Sequence, residues 1–254
     1  MTSLEVITLT GLPLIKAGDD LVELIASSLK LSRVNPRAQD VLVVAQKIVS
    51  KAEGRMADLA TIKPSAQAIA LAADVGKDPR LVEIILSESV RVVRARRGVL
   101  IVEHRLGFIM ANAGVDQSNV GPADGSHRVL LLPENPDRSA ETLRRGLAAL
   151  TGTDIAVVIN DSFGRPWRQG TAGVAIGAAG LPALIDLRGK PDLFGRRLEF
   201  SIVGFADEVA AAGSLLMGQA DEALPAVLIR GLRWSAPEST AASILRSPNE
   251  DLFR

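Results

Sequence analysis

Residues 90–111 read VRVVRARRGVLIVEHRLGFIMA. The runs Val90 to Ala95, Val99 to Glu103 and Phe108 to Ala111 are β-like and spaced closely enough to pair antiparallel. Helical patterns precede them. One is an Ala-rich segment from Pro64 to Gly76, and the next is opened by Pro79 and carries Val82, Ile85 and Leu86. Nearer the N-terminus, Leu4 to Leu9 reads as a strand, Asp19 is placed to cap a helix carrying Leu21, Leu24, Ile25 and Leu29, and Val41 to Ala45 is a short buried strand. On the other side lie a polar loop from Asn112 to His127, a strand from Val129 to Leu132, a helix opened by Pro136, and a strand from Asp154 to Ile159. Ala206 to Gly218 then reads as a helix and Pro225 to Ile229 as a last strand. Strands in runs, mixed with strands between helices, predict an α+β protein in two lobes with largely antiparallel sheets rather than a doubly wound sheet.

Lys plus Arg number 29 and Asp plus Glu number 29, so the formal net charge is zero. A protein that lives on nucleic-acid phosphates carries a basic excess or a dense basic stripe. Here the charges are interspersed, so small-molecule partners are expected and nucleic acid is not. The absence of cysteine removes disulfides, thiolate nucleophiles, zinc-thiolate sites and iron-sulfur clusters. Any metal must therefore sit on oxygen or imidazole. No basic run leads into an apolar signal core at the N-terminus. The longest uncharged stretch, Gln169 to Ile185, is broken by glycines and Pro182. A cytoplasmic protein with no membrane span is expected, with that stretch forming buried backbone near a ligand.

Glycine-loop chemistry is missing: there is no Walker loop, and no GxGxxG leads from a strand into a helix. Gly173, Gly177 and Gly180 have the wrong spacing and predict close backbone packing instead. His104 and His127 have no GxSxG partner, so each reads as an ordinary core or surface histidine. Two strand-end loops remain, Asn112 to Asn119 and Asn160 to Ser162, each setting a carboxylate beside amide and hydroxyl oxygens. Magnesium and manganese take such hard ligands, often one or two carboxylates completed by substrate phosphates. Ordinary turn chemistry explains the same residues, because Asp and Asn bond their own backbone. A basic cluster, Lys47 and Lys51 beside Glu53-Gly54-Arg55, reads either as solvated charge or as movable point charges for nucleotide phosphates. Arg165 and Arg168, which flank Pro166 and Trp167, admit the same two readings.

Taken in order, five segments resemble the coenzyme F420-0:L-glutamate ligase (gamma-glutamyl ligase) family. They are GLPLI at 11–15, IVSKAEGR at 48–55, ANAGVDQSN at 111–119, DSFGRPWR at 161–168 and LMGQ at 216–219. Each motif alone is weak; the ordered set, from about Leu4 to about Leu232, is specific. The resemblance implies a ligase domain over residues 1–232, in two lobes, and a C-terminal tail over 233–254 that forms a short terminal helix with a loose end. It implies nucleotide contacts from Leu12, Pro13, Leu14, Ile15, Gln46, Lys47, Lys51, Asn119, Met217, Gly218 and Gln219. It implies metal ligation by Asp116, Asp161, Ser162 and Gln219, with Lys51, Asp116 and Asp161 carrying the catalysis. Gln46 stands where relatives often have a small hydroxyl residue, and Ser162 where threonine is more usual. Apolar helix packing is the ordinary alternative for Met217.

The implied reaction joins L-glutamate by an amide bond to the terminal carboxylate of coenzyme F420-0, with further gamma-linked glutamates left open. GTP would phosphorylate the carboxylate, the glutamate amine would displace phosphate from the acyl phosphate, and GDP would be released. The implied co-substrate and ions are GTP, Mg2+ or Mn2+ at two sites, and potassium; the implied assembly is a homodimer. The rival readings are a carboxylate-amine ligase for another acceptor and a nucleotide-responsive binding protein without turnover.

Overall fold

The structure is a computed structural model that describes residues 3–120 and 127–251. Its twelve strands are β1 (Glu5–Thr8), β2 (Val41–Ala45), β3 (Met56–Asp58), β4 (Ser89–Arg96), β5 (Val99–His104), β6 (Ile109–Ala111), β7 (Arg128–Leu130), β8 (Ala156–Arg165), β9 (Arg168–Ala179), β10 (Ile185–Asp186), β11 (Ile202–Val203) and β12 (Ala226–Arg230). Its α-helices are α1 (Leu21–Leu31), α2 (Gln46–Ala52), α3 (Ala66–Val75), α4 (Pro79–Ser87), α5 (Pro136–Thr151) and α6 (Phe205–Met217). Of the expected polar loop, residues 121–126 lie outside the described part.

A five-stranded sheet in the order β1-β12-β2-β8-β9 forms the centre. Only β2 and β8 run parallel in it, and every other neighbouring pair is antiparallel. Side chains alternate across a strand, so both faces of this sheet are apolar. Leu42, Val44, Val157 and Ile159 pack with Ile25 and Leu29 of α1 and Leu143 and Leu147 of α5. Val41, Val43 and Val158 pack on the other face with Val209 and Ala210 of α6. Burial on both faces explains why β2 is the unbroken apolar run VLVVA. α6 lies so close to β9 that a Cβ at Gly173 would meet the Ala210 carbonyl at 2.6 Å. Gly177 likewise lies against the Pro136 backbone, as close packing predicts, whereas Gly180 faces the Arg144 side chain.

A third apolar cluster draws only on residues 57–131, from β3, α3, α4, β4, β5 and their connections, with Ile85, Leu100, Val102 and Val129 at its centre. β4-β5-β6 is the predicted antiparallel run, with β-bulges in β4, and β3 pairs with β7. The second lobe is thus a single insertion between α2 and α5. A T-shaped contact at 5.8 Å joins Phe108 before β6 to Phe163 of β8.

Local chemistry accounts for the helix ends. Asp20, not Asp19, caps α1, accepting from Val22 N and Glu23 N; Asp19 instead accepts from Lys16 N at 2.7 Å. Asn135 with Pro136 opens α5, and Gly152 at φ 72° ends it.

Two expectations are corrected. Asn160 to Ser162 are not a loop but the middle of β8, whose antiparallel pairing with β9 continues to Arg165 opposite Arg168. The small and polar side chains hide a strand that is held by its backbone ladder rather than by apolar alternation. Among its described residues the tail forms no α-helix. Pro237 and Pro248 interrupt it, and it makes short 3₁₀ turns at Ala241–Ile244 and Pro248–Glu250. Its first half is anchored to the rest of the fold. Trp234 lies 5.8 Å from Phe205 of α6, Ser239 Oγ accepts from Ala183 N, and Ala241, fully buried, donates its N–H to Asp137.

Candidate functional site

The segment following β2 is helical, which settles the spacing of its lysines. Lys47 and Lys51 sit one turn apart on α2 and reach the same loop. Lys47 Nζ lies 2.8 Å from Asp116 Oδ2 and donates to Ser118 Oγ at 2.8 Å and to the Ser118 carbonyl at 3.1 Å. Lys51 Nζ donates to the Asn119 carbonyl at 2.6 Å. Asn119 holds a left-handed backbone, φ 55°, which asparagine tolerates better than most residues. Its side-chain amide donates at 2.8 Å to the Ala220 carbonyl. That contact leads to the turn after α6, where Gln219 Oε1 accepts from Ser162 Oγ of β8 at 2.8 Å. Four segments far apart in sequence, α2, residues 116–119, residues 219–220 and β8, are therefore linked in series by hydrogen bonds, and the charges of Lys47 and Asp116 felt by Asp161 of β8 close them into a ring.

The charges in this ring are not at rest. Burial pulls the Asp116 carboxyl upward, but hydrogen bonds from Lys47 and Ser118 outweigh it and hold the group below the ordinary aspartate range. Asp161 goes the other way. Burial and the nearby negative charge of Asp116 push its carboxyl up to about 6, against smaller opposition from the Ser162 N–H and Lys47. Burial, with the Lys47 ammonium one turn away, lowers the pKa of Lys51. Two crowded ammoniums invite an anion, and a buried carboxylate whose ionisation is made costlier by a neighbouring one invites a cation.

The donors Asp116, Asp161, Ser162 and Gln219 are all hard oxygens, which suits a small divalent cation. No cluster of three His, Asp or Glu side chains forms among the described residues. A cation here would complete its shell with water and substrate oxygens, as magnesium usually does.

The other expected residues fall differently. Gln46 is buried, and its side chain accepts from Ser50 Oγ at 2.8 Å, so it is turned inward from the lysines. Met217 is buried in the α6 cluster and takes a 3.6 Å contact from Asn160 Nδ2, the packing role raised as its alternative. Gly218 has φ 70° and ψ −172°, a region only glycine occupies readily, and a Cβ there would collide with the Glu222 carboxylate. Ile15 is a core residue, Leu12 packs on the core, Pro13 is exposed, and Leu14 is 87 % exposed. No hydrogen bond joins residues 12–15 to the ring among the described residues. Trp167, at φ 65° in the β8-β9 turn, is 88 % exposed.

Two residues in the ring were not singled out by sequence. Ser118 bonds both Lys47 and Asp116, with its N–H and hydroxyl each donating to Asp116 Oδ1. Asn160 ties β8 to α6 through Ser214 Oγ at 2.9 Å, and its buried Oδ1 has no partner among the described residues. Both lie inside or beside the quoted motifs, but nothing in one chain's sequence tells them from turn-forming neighbours.

A profile of the family described as F420-0:Gamma-glutamyl ligase matches residues 11–231. Among curated proteins, the chain is 49 % identical over 245 residues to the coenzyme F420:L-glutamate ligase of Methanopyrus kandleri, covering 94 % of this chain and 93 % of that one. It is 47 % identical over 253 residues to the protein of the same name from Methanothermobacter thermautotrophicus, with 99 % of each covered. The like-named Archaeoglobus fulgidus protein is 45 % identical over 250 residues, with 98 % and 96 % covered.

Proposed function

The chain belongs to the F420-0:gamma-glutamyl ligase family and is an amide-forming ligase; on that premise we propose that it joins L-glutamate to the terminal carboxylate of coenzyme F420-0 at the expense of GTP. The observation that carries this reading is the ring itself, which gathers two lysines, two aspartates, a serine and a glutamine from four segments. A free carboxylate is a poor electrophile, so transfer of a phosphoryl group to it must come first. Lys47 and Lys51 supply positive charge for the transferring phosphates. Asp116, Asp161, Ser162 and Gln219 would hold Mg2+ or Mn2+, which when bound neutralises phosphate charge and orients it. Residues 12–15, Asn119, the Gln46 backbone and the turn 217–219 complete the nucleotide site on this reading, and potassium is an accessory ion. No step calls for a cysteine or a catalytic histidine, and the fully buried His104 is elsewhere engaged. The working compartment is the cytoplasm; no helix among the described residues is long and apolar enough to cross a membrane.

The test is a ligation assay with purified protein, GTP, L-glutamate, Mg2+ or Mn2+ and F420-0, read by mass spectrometry beside ATP and glutamate-free controls. A product heavier by glutamyl units with matching GDP release is expected. Metal-dependent GTP binding without product would instead favour another acceptor or a binding protein without turnover.

The reading also includes a homodimer, supported by the excursion between β10 and β11. These two-residue strands pair with each other alone, and the loop they carry exposes Leu193 (93 %), Phe194 (92 %) and Phe200 (87 %). Two of the chain's six phenylalanines stand in solvent there, an apolar projection of the kind that marks an interface. The expected result in light scattering is a dimer for the native chain and a monomer for the Phe194→Ser, Phe200→Ser double variant. A monomeric native chain would refute the assignment.

A further inference from the structure

Lys47 and Lys51 share a helix face but not a situation. An ammonium has three N–H donors, and Lys47 directs them to three acceptors: Asp116 Oδ2, Ser118 Oγ and the Ser118 carbonyl. Among the described residues Lys51 has a single partner, the Asn119 carbonyl, and touches neither aspartate. Asp116 is held from both sides, with Oδ2 on Lys47 and Oδ1 on the Ser118 N–H and hydroxyl. Both carboxylate oxygens are therefore in use, and the use of Oδ2 is by a cation.

From this we propose that Lys47 is a resident counter-cation that occupies the Asp116 carboxylate until nucleotide arrives, and then moves to the phosphates and releases Asp116 to the divalent metal. The inference rests on the metal and nucleotide reading given above. The physical reason is exchange of like for like. An ammonium and a divalent cation compete for the same oxygen, while phosphate oxygens offer the ammonium an equally strong set of charge-assisted acceptors. Lysine suits the exchange because its charge is a compact point on a flexible stem, free of the fixed fork geometry of arginine. The consequence is order. Metal alone meets a blocked carboxylate, whereas metal and nucleotide together find it open, so a bare cation binds the site more weakly than one that arrives with nucleotide.

The test is binding of Mn2+ alone, without nucleotide, measured by calorimetry on the full chain as native protein, Lys47→Met and Lys51→Met. Removal of the competing ammonium is expected to tighten Mn2+ binding about tenfold in Lys47→Met, the scale of one charge-assisted hydrogen bond. The same variant should bind GTP more weakly, so its two affinities move in opposite directions. Lys51→Met is the control for the general field: it removes an equal charge one turn away but uncovers no carboxylate. Mn2+ binding tightened no more in Lys47→Met than in Lys51→Met overturns the proposal and leaves the metal assignment standing. Failure of all three proteins to bind Mn2+, with or without GTP, overturns the metal assignment and the proposal with it.

Discussion

Replacing Asp161 with Asn is expected to lower ligation by at least about 10²-fold while making the metal-free protein more stable. The two effects have one origin. Asp161 sits in the middle of β8, where burial and the charge of Asp116 push its carboxyl up to about 6 from an ordinary 3.8. Between these values the native state holds a proton that the unfolded chain has released. Stability therefore falls as pH rises from about 4 to about 6, and the full penalty stands at pH 7. Its size is of the order of 1–3 kcal/mol. Asparagine keeps the shape and one acceptor oxygen but carries no charge, so the penalty disappears. The measurement pairs urea denaturation of metal-free native and variant protein at pH 4 and pH 7 with the ligation assay. The variant should gain at pH 7 and not at pH 4. Equal stability at both pH values would sink the electrostatic account of the site, and full ligation by the variant would sink the role of Asp161 in it.

The same residue shows how far the sequence could be read. The α+β class, the antiparallel run β4-β5-β6 and the positions of α3 to α6 followed from apolar periodicity and from Ser, Asp, Asn, Pro and Gly at helix ends, because those signals are local. The strand character of Asn160 to Gly164 did not follow. Its stability comes from a ladder with β9, fifteen residues away at Asn160↔Ala175 and closing toward the turn, and not from its own side chains. The insertion of the second lobe between α2 and α5 was equally hidden, since no composition change marks its ends. At the candidate site, the structure brings residues of separate motifs together. Lys47, Lys51, Asp116, Asn119, Ser162 and Gln219 do converge. Which lysine grips a carboxylate and which a carbonyl, and that Gln46 turns inward to Ser50, are facts of rotamer and register that a single sequence does not encode legibly.

The second large effect lies outside the ring, at the junction of the two lobes. Glu88 ends α4, and its Oε2 gathers Arg55 at 2.8 Å, Arg105 at 3.1 Å and His104 Nε2 at 3.4 Å. Of these, the histidine contact is off hydrogen-bond geometry. His104 Nδ1 accepts from Leu106 N, so Nε2 is the ring nitrogen that lies near the carboxylate. Burial pulls the Glu88 carboxyl upward, but His104, Arg55 and Arg105 more than reverse this and hold it down to about 2, against an ordinary 4.5. Arg55 reaches the other lobe as well, donating to the Leu132 carbonyl at 3.0 Å, and Arg105 donates to the Glu134 carbonyl just before α5. These arginines wall a cleft of about 910 Å³ between α1, α2 and α5. Glu88→Gln removes the negative charge and leaves two half-buried guanidiniums facing each other. The expected loss is about 3 kcal/mol at neutral pH, or roughly 6–12 °C in melting temperature for a chain of this size. The pH dependence fixes the cause. In native protein the contribution is complete above pH 4.5 and is lost as pH falls toward 2, because the folded state then binds fewer protons than the unfolded one. The stability of Glu88→Gln should accordingly vary less across that acid range. A native and a variant curve that run parallel from pH 5 to pH 2 would mean that Glu88 acts through packing alone, with its ion pairs contributing nothing to the junction of the lobes.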